Sequence, residues 1–497
     1  MKPRIQTFFL VLTGILFFVL FFIHYSLWYF EELNSDHAIH ILMAERFDWA
    51  KDWYYWGQNR LGSFIPMLGS ILIAIGVDSF TALGLVQVLL LGLSAFMLWR
   101  LSNFSYWSLG LSAVLLFPIY PFWMQDSLGH PYLAQFFFLL ASLSLFNAPR
   151  ISDSWKAFLV PFVAFLAIWS SEMSLAFFVA FVLVEHKVFW KLFLKRWHFL
   201  LLGSGLGLVL LLAAKNQAVK IKDYQTFLAP WPKVWESFSQ QIQSLWDLFL
   251  FEGNKPFNSY LLYALFLVLL LSIIRRFRSG QSFSSITVIF FLTAVLSFVL
   301  IHLSNWNAAM GMPLRYHTMP YFFMVSALIL GAKDQFGNGW EQFFMVALIA
   351  MPILNASLRF NHEFETGAHG RIRRSGAENL IAKVLAEAQI DHFTVIGSYW
   401  NTHLLDALSP NVLAITREGD HMRDGRMMEE ALEAEYFLII ANDWLDHFPK
   451  QLEERGLLLR KQELEGNSRE VRYALYRKIP ENKLAPAMES MAPQAGL

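Results

Sequence analysis

The sequence predicts an α-helical polytopic membrane protein of about eleven transmembrane helices, carrying a small C-terminal extracytoplasmic α/β domain. Three observations carry this. Of 497 residues, 56% are hydrophobic and only 16% charged, too apolar for an ordinary soluble protein. Apolar runs of about 20 residues, the length of a bilayer crossing, recur along positions 1-358. From Arg359 onward the composition changes to a charged mixture in which short apolar strands alternate with helical stretches. The expected division is therefore a membrane domain over 1-358, with a first outer loop and its juxtamembrane helices at 30-76, a soluble domain over 359-484, and a disordered tail at 485-497.

The first apolar run, Thr7 to Phe30, follows Met-Lys-Pro-Arg. It is longer than the apolar core of a secretory signal and lacks a small-residue cleavage site, so it reads as a retained helix at 7-29. Further spans are expected at 82-99, 105-122, 130-147, 198-214, 258-274, 283-303, 320-332 and 340-357. Two shorter segments, 157-169 and 173-186, flank the polar interruption Ser170-Ser171-Glu172. Phe64 to Gly76 spans roughly one leaflet at 1.5 Å per residue and is expected as a juxtamembrane or re-entrant helix.

Basic residues set the orientation, because short cytoplasmic loops carry the Lys and Arg. Starting inside, the cytoplasmic side receives Lys2, Arg4, Arg100, Arg150, Lys156, the run Lys187 to Arg196, Arg275 to Arg278, and Lys333. Segments 30-63, 215-257 and 304-319 then face outward, and an odd number of crossings puts the C-terminal domain on that same face. A full crossing by Phe64 to Gly76 would break the alternation from Arg100 onward. "KVWESFSQQIQSLWDLFLF", from Lys233 to Phe251, sets Trp235, Phe238, Ile242, Leu245, Trp246 and Phe249 at helical spacing. It is either an amphipathic helix on the outer interface or a cover packed over the helices.

In the soluble part, Phe393 to Gly397, Val412 to Thr416 and Tyr436 to Ala441 read as strands, with helices at Thr402 to Leu408 and Arg426 to Glu433. "VIGSYW" offers one glycine after its strand, not the spaced set that a nucleotide pyrophosphate requires. Lys and Arg number 39, as do Asp and Glu, so no concentrated basic surface favours nucleic acid. The absence of cysteine removes disulfides, thiolate metal sites and thiol nucleophiles.

The outer loop "YFEELNSDHAIHILMAERF" crowds Glu31, Glu32 and Asp36 against the first helix. Glu31 and Glu32 read as water-exposed interfacial residues. "NSDHA" supplies capping residues, so Asn34, Ser35 or Asp36 either caps a helix or, in the case of Asp36, presents a rigidly held reactive carboxylate beside the bilayer. In "DWYYWGQNRLGSFIPMLGSILIAIG", Gln58, Asn59 and Arg60 stand between a Tyr/Trp cluster and the half-length helix. An arginine there either snorkels to lipid phosphate or serves a specific site.

In this order of elements, a first helix, an outer loop with "SDHAIHILMA", then "YYWGQNRLGS" leading into a short apolar helix, the chain resembles the polytopic C-type membrane glycosyltransferases. These include protein mannosyltransferases and lipid A aminoarabinose transferases, which take sugars from polyprenyl-phosphate carriers. The resemblance covers the topology of nearly the whole chain, while its specific motifs lie mainly in residues 34 to 76. It implies that Asp36 is the catalytic carboxylate. Many relatives carry a second acidic residue next, where this chain has His37, which leaves a single-base site in place of a two-carboxylate or metal-binding one. No cofactor is implied, and a divalent metal stays open.

A second family feature is an acidic residue after the third helix, matched by Asp126 in "PFWMQDSLGHPY", with His130 following; the plainer reading is a solvated loop aspartate. A third is an Arg-Tyr pair entering a late helix, matched by Arg315 and Tyr316 in "MPLRYHTMPY", where Arg315 could instead simply anchor at the headgroups. Arg60, Arg315 and Tyr316 would bind the donor phosphate. His37, Gln58, Asn59, Glu172 and His130 would be sugar or acceptor contacts. Glu172, in the outer turn between two short helices, becomes a candidate because a carboxylate at membrane depth is costly, a cost that disappears if the turn protrudes into water.

The expected activity is inverting transfer of a sugar from a polyprenyl-phosphate donor to a glycan, lipid or protein acceptor at the outer face. A transporter or flippase for lipid-linked sugars would place ionisable or broken-helix sites near mid-membrane, often in repeated halves. Here the charges gather outside and no repeat is visible. A ligase moving whole glycans and a non-catalytic assembly protein also compete with this reading. The bacterial cytoplasmic membrane is the expected location, with the endoplasmic reticulum membrane as the alternative.

Overall fold

The computed structural model describes residues 33–102, 107–116, 118, 127–218, 228–249, 257–305, 307, 314–333, 372–417, 425–441, 444–467 and 471–480. The expected spans 7-29 and 340-357, the two ends of 105-122, Glu31, Glu32, Asp126 and the tail 485-497 lie outside the described residues. Contacts divide the chain into two units, Met1–Leu27 with Met43–Glu365, and Trp28–Leu42 with Thr366–Leu497. The outer loop expected at 30-76 is thus shared between them.

The first unit is helical. Its members are α2 (Phe64–Ala74), α3 (Ser79–Leu101), α4 (Trp107–Leu116), α5 (Pro131–Phe146), α6 (Asp153–Ser170), α7 (Ser174–Val184), α8 (His186–Gln217), α9 (Trp231–Phe249), α10 (Phe257–Arg278), α11 (Ser285–Leu303) and α12 (Thr318–Ala332). It also takes the last residues of α1 (Ser35–Glu45). Side-chain acceptors start several of these helices by satisfying an otherwise orphaned backbone donor. Asp78 accepts from Thr81 N at 3.1 Å before α3, and Ser284 accepts from Thr287 N at 3.2 Å before α11. Arg100, and Arg275, Arg276 and Arg278, close α3 and α10, where cations complement the negative helix end.

Among the described residues, four helical segments are long and apolar enough to cross a membrane: Ser79–Leu101, Asp153–Ser170, Leu194–Gln217 and Ser285–Leu303. Shorter apolar helices are Phe64–Ala74, Trp107–Leu116, Pro131–Phe146 and Ser174–Val184. The half-length helix expected at Phe64 to Gly76 is therefore α2, which ends at Ala74. On α3 the residues Leu85, Leu89, Leu93 and Phe96 form an exposed stripe, while Leu83, Val86, Gln87 and Leu90 are buried. A helix apolar on both its buried and its exposed side suits hydrocarbon, not water. The span expected at 198-214 is the later part of α8, whose helix breaks at Arg196 (φ −138°, ψ 29°).

α6 packs on α5 and α8, α11 on α12 and α7, and α3 on α2, α4 and α5. The α6–α8 crossing is backbone-close: a Cβ on Gly203 would sit 2.1 Å from the Phe158 carbonyl oxygen. Small residues permit such approach between membrane helices. α9 shows features of both readings of its amphipathic pattern: Phe238 packs against Phe298 and His302, while other apolar residues face outward. Ser237 and Gln241 are buried, whereas Trp231 is 72% and Trp235 65% exposed. A helix that buries its polar edge and presents tryptophan outward suits the membrane interface.

The second unit is built on α1, α13 (Arg374–Ala388), α14 (Tyr399–Leu408), α15 (Gly425–Leu432) and a six-stranded sheet of order β2-β1-β3-β6-β5-β4. β1 (Phe393–Gly397) pairs in parallel with β2 (Val412–Thr416) and β3 (Tyr436–Ile440), as strand–helix alternation requires. The strand expected to reach Ala441 ends at Ile440, and the helices expected at Thr402 to Leu408 and Arg426 to Glu433 begin earlier, at Tyr399 and Gly425. β4 (Gln451–Glu454), β5 (Leu457–Asn467) and β6 (Arg472–Lys478) extend the sheet antiparallel, an addition beyond the alternating pattern. Charged residues interleaved along β4 and β5 hide those two from an apolar-run reading, whereas β6 carries the short buried run Tyr473 to Tyr476. β1 is buried throughout, whereas β4 and β5 alternate between half-buried and exposed.

Candidate functional site

The start of α1 is a reciprocal cap. Asn34 Oδ1 accepts from the backbone N–H groups of Asp36 (2.9 Å) and His37 (3.2 Å), and the Asn34 carbonyl accepts from Ala38 N at 2.9 Å. His37 Nδ1 in turn accepts from Asn34 N at 3.3 Å. This is the logic of a capping box, with a histidine ring where Glu or Gln usually reaches back. Capping therefore falls to Asn34, and the Asp36 carboxylate is released from it. His37, 2% exposed, has one ring nitrogen committed to the cap. Its place next to Asp36 is thus explained by the helix cap.

Asp36 is half-buried and its Oδ1 accepts from the Tyr399 hydroxyl at 2.7 Å. Ser35 Oγ donates to the Tyr399 carbonyl at 2.5 Å. Tyr399 is the first residue of α14 and lies in "VIGSYW", the stretch whose single glycine excludes a pyrophosphate cradle.

In the helical unit, residues 53–63 form a tight hairpin. Tyr54 and Gly62 bridge antiparallel, Tyr55 N donates to Leu61 O at 2.8 Å, and Gly57 turns the chain at φ 74°. The tip carries Gln58, Asn59 and Arg60, and Arg60 Nε donates to Gln58 Oε1 at 3.2 Å. Gln58 is buried, while Asn59 and Arg60 are half-buried. The hairpin is stitched to the end of α6: Leu61 bridges Ser171, Gly62 N donates to Ser170 O at 3.2 Å, and Trp169 Nε1 donates to Trp53 O at 2.8 Å. Gly62 is required at this contact, because a Cβ there would lie 2.8 Å from the Trp169 carbonyl oxygen.

The same stitching fixes Glu172, which is ion-paired with Lys215 at the end of α8. The carboxylate thus has its counter-charge, and Lys215 is a partner that no local pattern announces. Nearby, burial pushes the Tyr54 phenol above its ordinary value, and the Glu172 carboxylate adds to the shift. Among the described residues the Tyr54 hydroxyl has no hydrogen-bond partner.

Arg315 and Tyr316 lie in the 3-10 turn Leu314–His317 that leads into α12, with the Arg315 guanidinium 5.5 Å from the Tyr316 ring centre. The Tyr132 phenol lies within electrostatic range of Arg60, Arg315 and Tyr316 together. Two arginines distant in sequence, both expected to bind phosphate, thus lie within electrostatic range of one phenol. Tyr132 follows His130 and Pro131, which start α5: His130 Nδ1 accepts from Tyr132 N at 3.4 Å, and its ring stands edge-on to Tyr132 at 4.6 Å. The loop before them is clasped by buried Gln87, which donates to Ser127 O at 3.4 Å and accepts from Gly129 N at 3.1 Å. His130 thus shapes the helix start. Among the described residues no three His, Asp or Glu side chains group as a metal site would.

No protein-family model matches the chain, and no curated protein matches it. Its fold matches the crystal structure of ArnT from Cupriavidus metallidurans bound to undecaprenyl phosphate, with a TM-score of 0.60 over 94% of this chain and 98% of that one, at 11% sequence identity. The apo-state crystal structure of ArnT from the same organism matches with a TM-score of 0.45, also at 11% identity, over 95% and 98% of the two chains. The chain therefore has the C-type polytopic membrane fold that its opening motifs resemble.

Proposed function

We propose that the chain is an inverting glycosyltransferase that moves a sugar from a polyprenyl-phosphate carrier to an acceptor at the outer face of a bacterial cytoplasmic membrane. The observation that carries this is a fold shared with a protein crystallised with undecaprenyl phosphate; in this chain Arg60 and Arg315 both lie within electrostatic range of Tyr132. Guanidinium forks bind phosphate oxygens bidentately, and in a low-dielectric setting they stabilise developing charge strongly.

A sugar on a phosphate brings its own leaving group, so the protein has few tasks. Asp36 takes the proton from the acceptor hydroxyl or amine as general base. The acceptor heteroatom then attacks the anomeric carbon as the bond from that carbon to the phosphate oxygen breaks. The electron pair leaves on the phosphate, where Arg60 and Arg315 offset the charge and Tyr316 and Tyr132 help hold the headgroup. No acid needs to protonate the departing oxygen, unlike in glycosidases. Direct displacement inverts the anomeric centre.

Gln58, Asn59, His130 and Glu172 are assigned to sugar or acceptor recognition, with Glu172 acting through its pair with Lys215. Asp126 is kept as a second carboxylate of the site. The count of about eleven crossings and the outward C-terminal domain belong to this proposal. The test is transfer by Asp36→Asn in full-length protein, assayed with a panel of undecaprenyl-phosphate monosaccharides. Loss of transfer in a folded, membrane-inserted variant is expected, and near-normal transfer would show that the base is misassigned.

A further inference from the structure

The carboxylate assigned as the base is held by a residue of the C-terminal strand-and-helix domain. Tyr399 clasps two consecutive residues of α1: its carbonyl accepts from Ser35 Oγ at 2.5 Å, and its hydroxyl donates to Asp36 Oδ1 at 2.7 Å. The tyrosine itself is fixed. It is 4% exposed, follows directly on β1 and Ser398 at the head of α14, and packs edge-on against Trp400 (5.2 Å) and His403 (5.4 Å). Because Asn34 and His37 complete the helix cap, the phenol is not needed to hold the helix start. One oxygen of Asp36 is pinned, and the other, Oδ2, has no hydrogen-bond partner among the described residues.

We propose that Tyr399 is a positioning residue for Asp36, fixing the carboxylate's rotation so that Oδ2 is the oxygen that receives the acceptor's proton. A carboxylate on a short side chain otherwise turns about its terminal bond, and loss of alignment at a reacting proton is expensive in rate. The inference rests on the reading of Asp36 as base, and it gives the C-terminal domain a part in the chemistry.

The experiment compares Tyr399→Phe, Ser35→Ala and Asp36→Asn in full-length protein, with the same panel of undecaprenyl-phosphate monosaccharides. Tyr399→Phe keeps the ring and its packing, so its melting temperature and donor KM should match those of the unmodified protein. Its kcat should fall about ten- to a hundredfold, the range for losing one hydrogen bond to a charged group. Ser35→Ala removes the other half of the clasp and should lower the melting temperature while keeping kcat. If Asp36→Asn abolishes turnover but Tyr399→Phe retains the full kcat, or changes only the melting temperature as Ser35→Ala does, the positioning role is wrong and the base assignment stands. If Asp36→Asn itself turns over, or no donor in the panel is used, the underlying reading fails and the inference falls with it.

Discussion

The capping box at the head of α1 separates two roles that the sequence runs together, and a pair of substitutions can read them apart. Asn34→Ala removes the acceptor of two backbone donors, those of Asp36 at 2.9 Å and His37 at 3.2 Å. Loss of such a cap costs roughly 1 to 2 kcal/mol. Asp36→Asn leaves the box whole, and its amide oxygen can still accept from Tyr399. What it loses is a negative charge in the first helical turn, worth about 0.3 to 1 kcal/mol. Asn34→Ala should therefore lower the melting temperature of the detergent-purified protein more than Asp36→Asn does, yet keep measurable transfer. Asp36→Asn should melt close to the unmodified protein and be inactive. Thermal denaturation followed by tryptophan fluorescence, run beside the transfer assay, gives both numbers. The opposite ranking, with Asp36→Asn the less stable of the two, would mean that the carboxylate serves the fold and would refute the separation.

Further expectations follow from the hairpin and its surroundings. Arg60→Lys and Arg315→Lys replace a planar fork by a point charge and should each raise donor KM about tenfold, with weaker undecaprenyl phosphate binding as the direct check; unchanged affinity would remove that arginine from the phosphate site. Gly62→Ala forces a Cβ to within 2.8 Å of the Trp169 carbonyl oxygen and should destabilise by about 1 to 3 kcal/mol; a native-like melt would show that the strap yields freely. Tyr54→Phe deletes a buried hydroxyl without a partner among the described residues and should be neutral or stabilising by about 1 kcal/mol. The folded Tyr54 phenol titrates above its reference of 10.0, so beyond that pH the unfolded chain releases a proton that the folded one keeps. Stability should fall as pH rises through that region and be unaffected below it. Tyr54→Phe should flatten this alkaline loss, and an unchanged slope would assign it to other groups.

The helices and parallel strands were legible because each is a run of apolar residues bounded by capping residues, basic clusters or glycine. β4 and β5 were not, since strands at the sheet margin that interleave Leu with Glu, Lys and Arg offer no continuous apolar signal, and the buried run of β6, Tyr473 to Tyr476, is short. Around the site, Asp36, Arg60, Arg315 and Tyr316 could be picked out by residue type at a membrane boundary. Tyr132 and Lys215 could not: a tyrosine in a helix's first turn and a lysine in a helix's last turn look like interface anchors until the fold shows what lies beside them. Tyr399 was hidden for another reason, because its partners stand 363 and 364 positions away. No local pattern reports a contact at that distance. His37 read as a departure from a family pattern, and its ring nitrogen supplies the physical reason for a histidine at that place.

The clasp between Ser35, Asp36 and Tyr399 also sets a rule of parity. Two segments that hydrogen-bond to one another lie on one side of a bilayer, so the chain between them must cross it an even number of times. Every scheme that assigns an odd number of crossings between α1 and β1 is thereby ruled out, whatever the hydropathy of any single run. In synthesis the order follows too: α1 is made more than three hundred residues before Tyr399, so the clasp closes only after the intervening chain has been made.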